Sequence, residues 1–241
     1  LLFGAFVLWA SAPNVYGQSS PEDKRGAKDD GEKEQRRDPP SINPYGTGLG
    51  AQVMLTNSGF WLGGYYQRTL TATTSFLAEF SLGAGKDGRE AAFFDGFGRK
   101  DIPNKANYLL IVPFQFGIHQ RLFKESIEDN FRPFLQFTAG PTIGWESPYF
   151  DDKNGNGSFD EGERTYDSFT SLPRGHLSPA VSGMIGFGAQ FGRSKKFTQA
   201  VRIGYTFIYF FEGIQLLEAD VQRADHIFGT PSISFLFGKL L

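Results

Sequence analysis

The chain runs to 241 residues with a formal net charge of -2 and a pI near 6.0, a balance that gives no support to general nucleic-acid binding. It has no cysteine, which excludes disulfides, thiolate metal sites and cysteine nucleophiles. Phe (26) and Gly (30) are abundant while mean hydropathy is only -0.30, and past the N-terminus no run of 18 apolar residues is present to cross a membrane as a helix. A β-barrel can cross at such a hydropathy, because only alternate strand residues meet lipid.

Leu1–Ala12 (LLFGAFVLWASA) reads as the hydrophobic part of a secretory signal, with small residues at Ala10-Ser11-Ala12 and Val15-Tyr16-Gly17 as cleavage positions. The signal is therefore expected over 1–17. Residues 18–44 follow as a polar run of both charge signs closed by prolines (SSPEDKRGAKDDGEKEQRRDPPSINP from Ser19). Too few apolar residues are present to build a core, so a disordered, charged periplasmic tether is expected there.

From Tyr45 to Leu241 the texture changes to period two. In Tyr108–Phe123, Tyr108, Leu110, Val112, Phe114, Phe116 and Ile118 share one face, and Pro113, Gln115, Gly117, His119 and Arg121 share the other. Phe131–Glu146, Pro179–Gly192, Phe197–Phe211 and Ile227–Leu241 repeat the pattern. Three earlier segments, Gly48–Thr56, Phe60–Leu70 and Ser75–Gly85, complete eight strands, the second with ambiguous facing. Short connections at Thr71–Thr74, Lys124–Asn130 and Arg193–Lys196 alternate with long ones at Lys86–Ala106, Ser147–Ser178 and Glu212–His226, and Asn57–Gly59 is a short exception. The spacing predicts an all-β fold, an eight-stranded antiparallel up-and-down transmembrane β-barrel over 45–241, with short periplasmic turns and long external loops. A soluble lipocalin-like ligand-binding barrel would need the Phe-rich face inside and the Gly-rich face in water. The polar face here is rich in Gly, Ser and Thr, as a narrow lumen requires.

On these features the segment 45–241 resembles the small outer-membrane β-barrel proteins, the class that includes the outer-membrane protein A-like transmembrane domain. The resemblance rests on the export signal, the strand pattern, the loop alternation and the Phe-rich last strand Ser232–Phe237. It implies location in a bacterial outer membrane, with outer-membrane lipid as the surroundings.

Within the long connection 147–178, Asp152-Lys-Asn-Gly-Asn-Gly-Ser-Phe-Asp-Glu-Gly-Glu163 has the spacing of a twelve-residue calcium loop. Asp152, Asn154 and Asn156 stand at positions 1, 3 and 5, and Gly157 at 6 permits the sharp turn. Ser158 offers its carbonyl at 7, Asp160 stands at 9, and Glu163 at 12 is placed to bind through both oxygens. Calcium, a hard cation wanting six to eight oxygens, is the expected cofactor, with a dissociation constant on the order of 10⁻⁴ to 10⁻³ M because two ligands are uncharged. The ordinary alternative is an Asp/Asn/Gly-rich surface turn with no ion.

Strand parity points Glu79, His119, Arg121, Arg132 and Arg202 into the lumen, with Arg68 as a candidate sixth. In so narrow a space such charges must pair, forming a structural plug or else a gated ion path. His176-Leu177-Ser178 could act as a rim lipid A hydrolase pair with Glu146 nearby, but no further catalytic motif accompanies it, and no enzyme is expected. His119, His176 and His226 lie at different strand ends, beyond shared ligand reach. Trp61, Tyr65, Trp145, Tyr149, Phe150, Tyr205 and Tyr209 are expected at lipid-facing or interfacial positions, and Ala91–Phe97 (AAFFDGF) is an apolar loop segment. Taken together, the residues point to a monomeric barrel with a structural or interaction role and a calcium-stabilised external loop, its external protein or glycan ligand unidentified. A narrow ion or small-solute channel, the rim hydrolase and the soluble barrel are the alternatives.

Overall fold

The computed structural model describes residues 46–94, 100–124, 130–160, 162–191, 197–218 and 224–240. The expected signal over 1–17 and tether over 18–44 lie outside these residues. Eight long strands close into one antiparallel ring: β1 (Thr47–Thr56), β2 (Gly59–Thr69), β3 (Thr74–Gly85), β6 (Asn107–Arg121), β7 (Phe131–Pro148), β8 (His176–Phe191), β9 (Phe197–Ile214) and β10 (Asp225–Leu240). Each pairs with its neighbour in sequence, and β1 pairs with β10 from Gly48↔Leu240 to Thr56↔Ser232, so no strand edge is left open. A two-stranded ribbon, β4 (Phe93–Phe94) with β5 (Lys100–Asp101), lies in the connection from β3 to β6. A single helical turn α1 (Ser168–Ser171) and a 3-10 turn (Leu172–Arg174) precede β8. The β1–β2 hairpin turns through Asn57 and Ser58 alone, and Gly59, at φ 118°, takes a backbone conformation that side chains disfavour.

Period two becomes two faces. Phe80, Leu82, Phe114, Phe116, Ile118, Phe137, Ile185, Phe187, Ile203, Phe207, Phe235 and Phe237 are exposed on the outside of the ring. Their neighbours Glu79, Ser81, Gln115, Gln136, Thr138, Ser182, Arg202 and Ser234 are buried inside. A continuous apolar exterior of this kind has no stable counterpart in water, and a closed ring satisfies its backbone groups internally, as a bilayer demands. The chain is a transmembrane barrel, and the soluble lipocalin-like arrangement is its inverse.

The lumen is solid. Nearest the end with short connections, Tyr65, Leu77, Phe134, Ala200 and Leu236 form one apolar cluster. Nearest the end with long connections, Met54, Trp61, Leu109, Ile111, Ile208, Phe210 and Phe228 belong to another. The polar side chains lie between them. This corrects two expectations. Trp61, with 0% exposure, and Tyr65 point inward rather than to lipid, and Arg68 is on the exposed face of β2 rather than in the lumen. In β2 both faces carry a glycine and an aromatic, so parity alone leaves the facing open. The neighbouring strands decide it: a Cβ on Gly83 would strike the Trp61 indole, and one on Gly50 or Gly238 would strike the Tyr65 ring. Those glycines are the holes into which the two rings fit. Tyr149 and Phe150 also leave the lipid surface, packing with Ile102 above the barrel. Tyr205 and Tyr209 remain on the outer face.

Candidate functional site

Two regions concentrate polar groups: the middle layer of the lumen, and the cap built by the long connections. In the lumen, Arg202 Nη1 donates to Glu79 Oε2 at 3.0 Å, and Nη2 donates to Gln52 Oε1 at 2.9 Å. The other carboxylate oxygen of Glu79 accepts from Gln136 Nε2 at 3.0 Å and from Thr138 Oγ1 at 3.2 Å. Gln115 extends the net through Thr138 and through Ser182 Oγ at 2.8 Å. Both charges are almost fully buried; the Glu79 oxygens are matched by donors, while the buried Arg202 Nε makes no hydrogen bond among the described residues. A Cβ on Gly186 would crowd the Arg202 stem, so that glycine makes room for it. The free space beside the pair is about 10 Å³, room for at most one water.

Of the expected lumenal charges, Glu79 and Arg202 meet. His119 lies apart from that pair, stacked on the Phe134 ring at 4.2 Å between centroids. Arg121 and Arg132 stand on strands β6 and β7 close to the short-connection end. The neutral members of the net (Gln52, Gln115, Gln136, Thr138, Ser182) had a legible signal, since each occupies an inward position by parity.

At the opposite rim, β7 and β8 run further than expected, with Glu146 opposite His176 in register. Buried Glu146 accepts from Ser178 Oγ and, at 3.1 Å, from the backbone N–H of Gln215. His176 Nε2 lies 3.6 Å from the same carboxylate, with its side chain mostly exposed. The three residues of the hydrolase alternative therefore come together, but Ser178 is 2% exposed and gives its proton to the carboxylate. This arrangement is a clamp fastening the β9–β10 connection to the barrel rim.

Above the rim the long connections are stitched to one another. Ala106 N–H donates to Leu216 O at 2.9 Å, Glu218 N–H to Asn104 O at 2.9 Å, Tyr149 N–H to Ala106 O at 2.8 Å, and Tyr166 N–H to Tyr149 O at 2.7 Å. Lys105 and Glu90, both buried, form an ion pair, with the ammonium also 5.0 Å over the Tyr108 ring. No sequence pattern announced this pair, because it joins two positions within an irregular connection. Asp167 caps α1, accepting from Phe169 N–H at 2.9 Å and Thr170 N–H at 3.0 Å. The Thr170 amide, then its hydroxyl, then the Phe169 amide hold the Asp167 carboxyl below the ordinary aspartate range.

The segment 152–163 curls on itself. Asp152 accepts from the N–H groups of Gly155 (2.6 Å) and Asn156 (3.2 Å) on one oxygen and of Gly157 (2.8 Å) on the other. Asn154 and Asn156 both direct their amides to Asp160 Oδ2, at 2.6 and 2.8 Å. Glu163 spans the ends of the loop, accepting from Lys153 N–H at 2.9 Å and Asp160 N–H at 3.1 Å. Gly157 lies at φ 74°, the left-handed conformation that the sharp turn requires. The donor set is all oxygen, which suits a hard cation. Among the described residues no three carboxylates or histidines gather at metal-holding distance, so an ion here would draw its other ligands from the asparagine amides and the Ser158 carbonyl.

No family model and no curated protein matches the chain. Among solved structures it is similar to the N-terminal β-barrel domain of OprF from Pseudomonas aeruginosa, at 9% identity and a TM-score of 0.41, covering 82% of this chain and 98% of that one. It is similar to Neisserial surface protein A (NspA) at 8% identity and a TM-score of 0.42, covering 82% and 96%. A third likeness is to Ail, the attachment invasion locus protein of Yersinia pestis, at 11% identity and a TM-score of 0.38, covering 81% and 97%. These are distant likenesses, and the barrel itself stands on the strand pairing described above.

Proposed function

We propose that the chain serves in the bacterial outer membrane as a closed, non-conducting barrel whose long connections form a rigid external cap for interaction, with the loop 152–163 braced by calcium. One observation carries the first part: the lumen is filled by an apolar cluster, a hydrogen-bonded Glu79–Arg202 net and a second apolar cluster. An eight-stranded ring has an interior that side chains can fill, and here they fill it. The alternating short and long connections support an outward-facing cap, since barrels of this kind carry long loops on the external side. The narrow-channel reading is thereby disfavoured. In planar bilayers the purified protein is expected to show no steady conductance, and a reproducible open level in the unmodified protein would overturn this reading.

The calcium part is supported by the spacing of Asp152, Asn154, Asn156, Ser158, Asp160 and Glu163 and by the curled path of that segment. Calcium would neutralise the carboxylates of Asp152, Asp160 and Glu163 and would fix 147–178 against the rest of the cap. Limited proteolysis checks it. Calcium at millimolar levels is expected to slow cleavage within 147–178 relative to chelator, and Asp152→Ala to abolish the difference. Identical cleavage patterns with calcium and with chelator would remove the ion from the description.

A further inference from the structure

The cap contains a pocket that none of the preceding roles uses. It is about 430 Å³, within the usual range of small-molecule sites, about 300 to 1,000 Å³. Tyr108, Tyr149 and Tyr166 line it, with Thr165, Asp167 and Ser168 on its polar side. The rings are held in place. Tyr108 and Tyr149 meet edge to face at 5.5 Å. The Tyr108 hydroxyl donates to Tyr166 O at 3.1 Å, and the Tyr149 hydroxyl accepts from Ile102 N–H at 3.2 Å. Aromatic surfaces fixed by their own hydrogen bonds lose little freedom when a ligand arrives.

We infer that this pocket binds a neutral saccharide. Three ligand classes can be weighed against the lining. An anion finds no cation among the lining residues. An organic cation would meet like charge at the tyrosines, because Lys105 lies over Tyr108 at 5.0 Å and Arg174 over Tyr166 at 4.4 Å, whereas a neutral ligand meets no such repulsion. The one carboxylate in the lining, Asp167, is committed to capping Phe169 and Thr170 and is solvent-exposed, where pairing with a further charge contributes little. A sugar ring needs something different: apolar C–H faces against aromatic carbon, and hydroxyls exchanged with phenol, alcohol and carboxylate oxygens. Tyrosine provides both in one side chain, and Thr165, Asp167 and Ser168 add three oxygen-bearing groups along one wall.

The inference rests on the external placement of the cap, because glycans are the material found there: those of the cell's own outer-membrane glycolipid, or those of another surface. The test uses the full chain folded in a detergent without a sugar headgroup. Saturation-transfer NMR is run against neutral oligosaccharides, a sulfated oligosaccharide and tetramethylammonium. Neutral oligosaccharide is expected to bind. Tyr166→Ala should weaken it by about tenfold, roughly 1.4 kcal/mol, with recovery in Tyr166→Phe. Heat-modifiable gel migration confirms that each variant is folded. Binding of oligosaccharide released from bacterial outer-membrane glycolipid, or of arrayed glycans from other sources, supports the pocket and identifies the source. Binding of tetramethylammonium alone, of the sulfated probe alone, or of no probe by the folded protein overturns the inference. Protease cleavage of the cap on intact cells reports sidedness separately. Saccharide binding by a cap that faces the periplasm would refute the external reading while leaving the chemistry of the pocket standing.

Discussion

A single buried cation governs the middle of the barrel. Arg202 is 1% exposed and reaches both Glu79 and Gln52. Replacing it with Met leaves Glu79 charged and enclosed, so Arg202→Met should destabilise the barrel by about 3 to 5 kcal/mol. Converting both partners, Arg202→Met with Glu79→Leu, should recover most of that loss, because an apolar pair of similar volume removes the uncompensated charge. Urea unfolding of vesicle-inserted protein reads both values; equal stability of wild type and Arg202→Met would show that the pair is not a structural plug. These two residues were legible in the sequence because each is a lone charge at an inward position of a strongly alternating strand. Trp61 and Tyr65 were not, since the information that turns them inward resides on other strands, in Gly50, Gly83 and Gly238. A cavity matched to a ring is a property of pairs of strands, and a single-strand pattern does not contain it.

At the scale of elements, strands and connections differ in how plainly they read. The eight strands fall within a few residues of their expected limits, because alternation of large apolar and small polar residues has only one periodic solution. The largest extensions are three residues, at the start of β8 (His176 for an expected Pro179) and the end of β9 (Ile214 for an expected Phe211), and at β8 the ladder reaches Glu146↔His176. Cap contacts satisfy those groups, and such contacts have no period to betray them. The turn α1 is similarly local, its first N–H groups capped by Asp167 and its carbonyls met by Ser171 and Arg174. Because the folded Asp167 carboxyl titrates below its ordinary value, its contribution is fully present above about pH 4 and is lost as pH falls through the lower, folded value. An NMR titration of the Thr170 amide should therefore show a midpoint below 3.8, the ordinary value, and Asp167→Asn should abolish that transition. A midpoint at or above the ordinary value would mean that the cap hydrogen bonds are not formed in solution.

For the molecule as a whole, the exterior was readable and the interior only partly so. The Phe-rich face had to look outward once the ring closed. The expected lumen of Gly, Ser and Thr proved to be one layer between two apolar clusters, since Leu109, Ile111, Ile208 and Phe210 also occupy inward positions toward the long-connection end. Those residues extend an apolar run on both faces, which masks the period just where the strands leave the middle of the barrel. The absence of conductance expected of the whole protein follows from this layering: a permeant ion would need to shed its water in an apolar cluster before reaching any polar partner.

The β1–β2 hairpin has a last consequence. It turns in two residues, Asn57 and Ser58, while the other three crossings at the same end carry ribbon, helix and stitched backbone. The rim is thus a parapet with one gap, and the molecule has a front and a back even though its wall is round. A neighbour travelling in the plane of the membrane meets a low sill on the β1–β2 side and a tall screen elsewhere, so lateral encounters are not equivalent around the circumference.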